Sequence, residues 1–575
     1  MNLRCLAPLV ALACLAEARV VASDPQVFAT SRHFKIPRVD APGFPPVRSD
    51  PAKVAIGERL FLETRFSHYF FAHSNGDANA TLAAGDPVVE NTTTLGAPLP
   101  GPFSGFAINC RACHLLNEHF AGGHGNRTYT DFARRSPVPS REDGQRVTLR
   151  NSPPMVNATV PRDGSVLLHY DGEFAGAADL ARGTLTGRNY GWLAGEQALA
   201  VRHIARIIRE DDGQGPLARE FGGFAYRDIL LGTNAALGEP GKRFRLPPEF
   251  RFDAAHASDD RILDTVGELL AAYMDSLLFS RNENWDYEGS PYDAFLETNQ
   301  FPHRVDSGAS EPYYNRHLAD LFLSVRNPVF VHGTNGVAPP APGRFKTLEQ
   351  DFRFGPLELA GARVFFSTPQ SSRGSGIGNC VACHSPPNFT DFHFHNTGAA
   401  QLEYDAIHGA GMFAKLKAPG LARRNAQFNE WLPATSKHPN AAGPFLDIPA
   451  VNRPGRTDLG LWNVFANPDQ PRPQDALRAL LNGDESRASD ADLLPRTIAL
   501  FKTPTLRGLG FSHPYLHNGS RDTLEDVIRF YIKTSALARA GKLRNGAPEL
   551  AGMHLSEEHI EPLAAFLKSL NEDYE

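Results

Sequence analysis

Cysteine is scarce in this chain, with six in 575 residues, which excludes a small scaffold held together by disulfides. Charge of one sign is also missing. Lysine and arginine number 58 against 64 aspartates and glutamates, a net charge of −6, so no strongly basic face is implied and nucleic acid is excluded as a partner. Beyond the amino terminus no stretch approaches the ~18 apolar residues of a transmembrane helix. Period-two runs closed by Asn-Gly or Asp-Gly turns are lacking, which points to a mainly α fold. What is present is ordinary for a globular protein: 42% hydrophobic and 21% charged residues, in a chain of 575 long enough for two or three domains. Glycine (50) and proline (45) make up about a sixth of it, so long connections are expected.

The amino terminus reads as an export signal. Arg4 and the terminal amine precede an apolar stretch from Cys5 to Ala16, and small residues follow at Ala18, Ala22 and Ser23. This assigns 1–23 as a signal peptide and the mature protein to the periplasm or the exterior of a Gram-negative bacterium. Lipidation at Cys14 after cleavage at Ala13 is the alternative, with Ala11 rather than leucine three residues before it.

Two cysteines lie in that signal. The other four occupy two places, Asn109-Cys110-Arg-Ala-Cys113-His114 and Asn379-Cys380-Val-Ala-Cys383-His384. Each is a Cys-x-x-Cys-His site. Two thiols one helical turn apart can both add to the vinyl groups of one haem, and the adjacent histidine turns its imidazole to the iron. The alternatives are two disulfides, for which the repeated histidine has no use, or a zinc site pairing motifs 270 residues apart.

Residues 24 to about 50 read as an extended arm. The segment 52–66 has apolar residues at helical spacing, and 74–105 reads as a long surface loop. Residues 261–281 carry Ile262, Val266, Leu269, Leu270, Tyr273 and Leu277 on one face of an amphipathic helix. Gly333 to Gly343 (GTNGVAPPAPG) reads as a linker between halves with one motif each. Residues 357–366 then lead into the second motif as 52–66 lead into the first, as an internal duplication would. Residues 420–475 predict an irregular excursion, and 557–570 a final helix. The expected organisation is a domain at 24–335, a linker at 336–345 and a domain at 346–575.

These motifs resemble the bacterial di-haem cytochrome c peroxidase superfamily, which includes the MauG enzymes and the di-haem rubber oxygenases. The pieces, in the family's order, are Gly57-Glu-Arg-Leu-Phe61, the first haem motif, Arg150-Asn-Ser-Pro-Pro-Met-Val-Asn157, His169-Tyr-Asp-Gly172, and Ser280-Arg-Asn with Ser290-Pro-Tyr-Asp293. The second haem motif follows, then Asn388-Phe-Thr-Asp391, Phe394-His-Asn-Thr-Gly398, Phe501-Lys-Thr-Pro-Thr-Leu-Arg507 and Pro514-Tyr-Leu-His-Asn-Gly519. Segments 67–108, 211–260, 300–350 and 410–495 are longer than usual and not covered. The resemblance implies two cytochrome-c-like helical haem domains with long irregular insertions. The amino-terminal haem is then where oxidant is reduced, and the carboxy-terminal haem is where electrons arrive or are stored.

Carried over residue by residue, His114 and His384 match the proximal iron ligands. Asn151, with the carbonyls of Ser512 and Pro514, matches a calcium site, Ser512 standing where the family usually has threonine. Tyr531, fourteen residues after His517, falls where peroxidases tend to have a methionine ligand of the second haem and the MauG group has tyrosine. The alternative makes Tyr531 a core aromatic and Met412 or Met553 the ligand. Tyr170 falls at the inter-haem tryptophan, either as a relay or as packing. Leu180 and Tyr190 stand where relatives have a glutamine and the glutamate that moves protons during O–O cleavage. The distal histidine position falls near Thr130, with His119 and His124 the nearest candidates for a sixth ligand or an acid–base group.

Three functions follow from the resemblance. The first is a peroxidase that takes electrons from a small donor, a cytochrome c or a cupredoxin, and reduces hydrogen peroxide. The second is a MauG-like or rubber-oxygenase-like oxidase or oxygenase using oxygen on an organic or protein substrate, which Tyr531 and the loss of the distal glutamate favour. The third is an electron carrier with both irons six-coordinate.

Overall fold

The structure is a computed structural model that describes residues 49–82, 93–94, 97–98, 103–104, 107–116, 128–129, 135–160, 166–304, 311–333, 350–372, 374–482 and 488–572. The signal at 1–23, most of the arm, the linker at 336–345, and His119 and His124 lie outside the described residues. The fold is mainly α. Among the described residues the sheet content is five antiparallel pairs of two-residue strands.

The helix Pro51–Phe61 starts where Asp50 accepts hydrogen bonds from the Ala52 and Lys53 amides, with proline at its first position. It stops at Leu62, short of the 66 read from periodicity. The helix Asp259–Ser276 is capped by Ser258, with Asp259 and Asp260 complementing the positive end of its dipole. Its buried stripe of Ile262, Val266, Leu269, Leu270 and Tyr273 lies on the 51–61 helix. The same pair recurs in the second half, where Pro356–Phe366 packs on Ile560–Lys568. Both crossings depend on glycine. A Cβ at Gly57 would run into the Leu269 carbonyl, and one at Gly361 into the Pro562 carbonyl. Glycine costs a helix interior about 1 kcal/mol relative to alanine, and here it admits backbone-to-backbone contact at matching points of Gly57-x-Arg59-x-Phe61 and Gly361-x-Arg363-x-Phe365.

One core is built from residues between Ala55 and Leu277 and contains Phe61, Tyr190, Trp192, Ile204 and Tyr273. A second is rich in phenylalanine and takes Val156 together with residues from Phe279 to Leu570, with Phe295 on Phe354 at 4.1 Å and Phe322 on Phe366 at 4.9 Å. Apart from Val156, the two cores meet in sequence at 277–279. Residues 279–331, which the linker reading placed in the amino-terminal half, supply Tyr292, Phe295, Leu318 and Phe322 to the carboxy-terminal core.

The segment expected to be an irregular excursion has a core of its own. Phe413, Phe445, Leu459, Leu461, Trp462, Phe465 and Leu477 bury together and reach Leu167 and Phe394. Its backbone is irregular because buried side chains, rather than ladders, satisfy it: Arg424, fully buried, donates to the Trp462 and Phe465 carbonyls at 2.5 and 2.7 Å.

Candidate functional site

Each Cys-x-x-Cys-His segment opens as a tight 3₁₀ turn, Cys110–Ala112 and Cys380–Ala382. In each, the histidine amide donates to the first cysteine's carbonyl at 2.9 Å. The asparagine before each turn ties it to the helix upstream. Asn109 donates its amide to the Leu62 carbonyl at 2.9 Å, and the Asn379 backbone donates to the Ser367 carbonyl at 2.8 Å. Both turns are thereby fixed to the ends of the duplicated helices.

The four cysteines are free, so neither pair is a disulfide. Among the described residues, no cluster of metal-ligating groups joins the two motifs, which removes the shared zinc site. Burial pushes the Cys110 and Cys380 thiols up to about 12, so each is held neutral. Both histidines are neutral as well: burial holds His114 down at about 4 and also lowers His384. His384 donates from Nδ1 to the Phe389 carbonyl at 3.0 Å, which leaves Nε2 for a metal. Phe389 is fully buried among Tyr292, Phe365 and Phe566, so the aromatic core sets the orientation of that imidazole.

The first motif opens on a cavity of about 1420 Å³ lined by Cys110, Cys113 and His114. Two neutral thiols and a neutral imidazole on the wall of a large cavity are the donor set that a covalently attached c-type haem requires. The opposite walls come from distant parts of the chain: Leu180 to Gln197, Thr390 to Phe392 and Lys502 to Thr505 after the second motif, and Pro433 to Arg456 of the insertion. No sequence signal placed 433–456 here, because its contact with the first motif spans more than 300 residues.

No family model matches the chain. Among curated proteins, it is similar to cytochrome-c peroxidase IdrP2 of Denitromonas iodatirespirans, 28% identical over 197 residues, which is 34% of this chain and 37% of that protein. IdrP2 of Pseudomonas sp. strain SCT is 26% identical over 198 residues, with the same shares. The match thus spans little more than a third of these relatives. Solved structures similar to the chain include the di-haem peroxidase BthA of Burkholderia thailandensis, with 16% identity, a TM-score of 0.43 and 92% and 88% of the two chains covered. A MauG-like protein associated with microbial copper homeostasis has 16% identity, a TM-score of 0.42 and 94% and 96% coverage.

Over that third, the chain is similar to cytochrome-c peroxidases.

Tyr170 lines the cavity beside the 502–505 segment that follows the second motif. Its carbonyl accepts from the Lys502 amide at 2.7 Å, and its ring meets His517 edge-on at 6.3 Å, with Phe501 stacked on His517 at 3.5 Å. Burial raises the Tyr170 phenol. Tyr190 lines the cavity, but its hydroxyl lies 3.2 Å from Cys110 Sγ. Burial, with Cys110 beside it, puts its pKa well above that of a free phenol. Leu180 also lines the cavity. Between 180 and 197 the described lining residues include neither a carboxylate nor an imidazole, and Arg188 is their charged group.

Tyr531, on the helix Leu524–Arg539, packs, as Cys380 and Leu543 do, against a small core of Ala547, Leu550 and Met553. Burial raises its phenol, and the Cys383 and Cys380 thiols add to the rise. Met412 is 38% exposed, with its sulfur near Lys415 Nζ, as a surface residue. Asn151 and Pro514 are brought together: Asn151 Nδ2 donates to the Pro514 carbonyl at 2.5 Å, while Asn151 Oδ1 accepts from the Ser152 amide. Ser512 donates its hydroxyl to the Gly508 carbonyl at 3.3 Å.

Proposed function

We propose that this chain is an exported di-haem oxidoreductase of the cytochrome c peroxidase type, which reduces hydrogen peroxide with electrons from a small donor protein such as a cytochrome c or a cupredoxin. The observation that carries the reading is the cavity at Cys110, Cys113 and His114, whose wall includes both Tyr170 and the 502–505 segment that follows the second motif. Cys110 and Cys113 would hold one haem through thioethers with His114 on the iron, and Cys380, Cys383 and His384 the other. When bound, the first haem supplies the iron at which peroxide is reduced, and the second supplies an electron store. The chain itself contributes neutral imidazoles, an orientation of His384 set by Phe389, and an aromatic side chain, Tyr170, on the wall of the first cavity, which would serve as the inter-haem relay. Tyr531 would supply an oxygen donor to the second haem in this reading, since it packs against the same small core as Cys380. Two cytochrome-c-like haem domains follow, 24–335 and 346–575 joined by the linker at 336–345, with residues 279–331 packing on the carboxy-terminal core. A calcium ion between Asn151 and the Ser512 and Pro514 carbonyls belongs to the same reading and requires the Asn151 amide to turn its oxygen toward Pro514. Proton transfer to the leaving oxygen falls to a group outside the 180–197 wall, and His119 and His124 are its candidates.

A second reading, an oxidase or oxygenase acting on an organic or protein substrate, is favoured by one observation. The insertion residues from Pro433 to Arg456 wall the first cavity, and peroxide reduction has no need of them. Stopped-flow mixing of the half-reduced protein with hydrogen peroxide, and separately with oxygen, in the presence of reduced small cytochrome c distinguishes the two. Rapid peroxide-dependent oxidation of the donor, lost in His114→Gly, is the expected result. A lasting oxygen complex without peroxide turnover supports the second reading instead.

A further inference from the structure

On the wall of the same cavity lies a cluster that the haem chemistry does not use. A short bridge pairs Leu168 with Phe174, and the chain between them is a tight turn in which His169 and Gly172 take left-handed backbone angles, φ 63° and 70°. The turn brings His169, Asp171 and Glu173 together, and all three line the cavity. One ligand-type atom from each lies within 4.8 Å of the other two. A metal with bonds of ~2.1 Å holds neighbouring donors roughly 3–4 Å apart, so rotamer adjustment closes the remaining distance.

We propose that His169, Asp171 and Glu173 form a binding site for one divalent transition-metal ion at the edge of the haem cavity. Asp171 supplies the independent observation. It is only 2% exposed, yet its Oδ1 has no hydrogen-bond partner, a costly arrangement for a buried carboxylate oxygen unless something else meets it. Its other oxygen pairs with Arg150 at 2.6 Å. Arg150 is also clamped by Asp458 at 2.5 and 2.9 Å, so one guanidinium faces the carboxylates of Asp171, Asp458 and Glu173. The excess of carboxylate over guanidinium is of the size a divalent cation neutralises. A fourth donor is at hand in Gln470, whose Nε2 lies 3.2 Å from Glu173 Oε1 and whose own Oε1 is buried without a partner. Turning that amide over presents an oxygen to the site.

The donor set selects the ion. One imidazole with two carboxylates suits manganese(II), iron(II), cobalt(II) or zinc(II), whereas calcium favours an all-oxygen shell and copper(I) favours sulfur. The site shares no residue with Asn151, Ser512 and Pro514, and its nitrogen ligand distinguishes it from a calcium site.

The test uses the haem-loaded full chain in its ferric resting state, stripped of metals and then given excess calcium so that any calcium site is filled. Manganese(II) is titrated in, and the free ion is followed by its six-line electron paramagnetic resonance signal. The expected result is one manganese bound per chain, tighter than about 100 μM, displaced by zinc(II), and weakened about tenfold or more in both Glu173→Gln and His169→Gln. These two side chains are roughly one-third exposed, and an unchanged haem spectrum in each variant certifies its fold. Absence of binding below about 1 mM, or binding untouched by both substitutions, overturns the proposal.

Discussion

Arg507 and Asp293 form a fully buried ion pair whose loss has a calculable effect. Both side chains are 1% exposed, with nitrogen–oxygen distances of 2.9 and 3.0 Å. The guanidinium also donates to the Pro387 carbonyl at 2.7 Å and lies 3.6 Å over the Tyr287 ring. Arg507→Met keeps most of the volume and strands the Asp293 carboxylate in the interior, with the Ser290 hydroxyl at 2.6 Å as its remaining side-chain partner. Stranding one member of such a pair costs about 3–5 kcal/mol. With a urea dependence of ~3 kcal/mol per molar for a large unit, the midpoint should fall by roughly 1–1.7 M. Replacing both residues, as Arg507→Met with Asp293→Leu, removes the stranded charge and should recover most of that loss, leaving about 1 kcal/mol for the capping interaction that Asp293 gives Ser290. Because the pair ties 290–298 to the loop after His384, the transition followed at the second haem should move while that at the first stays in place. A single-variant shift below about 0.3 M, or a double variant as unstable as the sum of the two singles, refutes the reasoning.

Tyr531→Phe should change the low-field resonance signals of the second ferric haem while Met553→Leu leaves them unchanged; the reverse pattern makes Met553 the ligand. Burial holds His203 and His517 near pKa 4, below the 6.5 of the unfolded chain. The unfolded state therefore binds more protons under acid conditions, and stability present above pH 6.5 is lost as pH falls through that window. Each should cost about 2.5 kcal/mol by pH 4.5, and His203→Gln should flatten the urea midpoint between pH 7 and pH 4.5; equal slopes would show that His203 does not contribute. Gly361→Val places a branched side chain against the Pro562 carbonyl, so thermal unfolding of the carboxy-terminal half should drop by at least the 1–3 kcal/mol of an overpacked core, and wild-type stability would contradict the close crossing.

The two Cys-x-x-Cys-His turns and the helices at 51–61, 259–276, 356–366 and 560–568 were legible because attachment chemistry and a 3.6-residue apolar period are local signals. The partition of the cores was not. The two large clusters meet at Leu277 and Phe279, yet Val156 joins the second, a non-local packing that no composition signal marks. The core at 413–477 was hidden by its prolines, asparagines and glycines, which describe its irregular backbone but not the burial of Trp462, Phe445 and Phe465. Tyr190 was reached by counting from Tyr170, yet its partner is Cys110, 80 residues earlier, a pairing that only the folded chain creates. The grouping of His169, Asp171 and Glu173 carried no sequence signal, because a tight turn rather than strand alternation gathers it. What makes it a candidate site is the orphaned Asp171 oxygen, which is a property of packing.

The central claim is that both Cys-x-x-Cys-His turns carry covalent haem, and the most direct measurement is the intact mass of the chain purified from a host able to attach c-type haem. The account predicts the polypeptide plus two haems under denaturing conditions, falling to one haem in Cys110→Ala/Cys113→Ala and to one in Cys380→Ala/Cys383→Ala. A polypeptide mass without haem, or with zinc retained in the native protein, would contradict it.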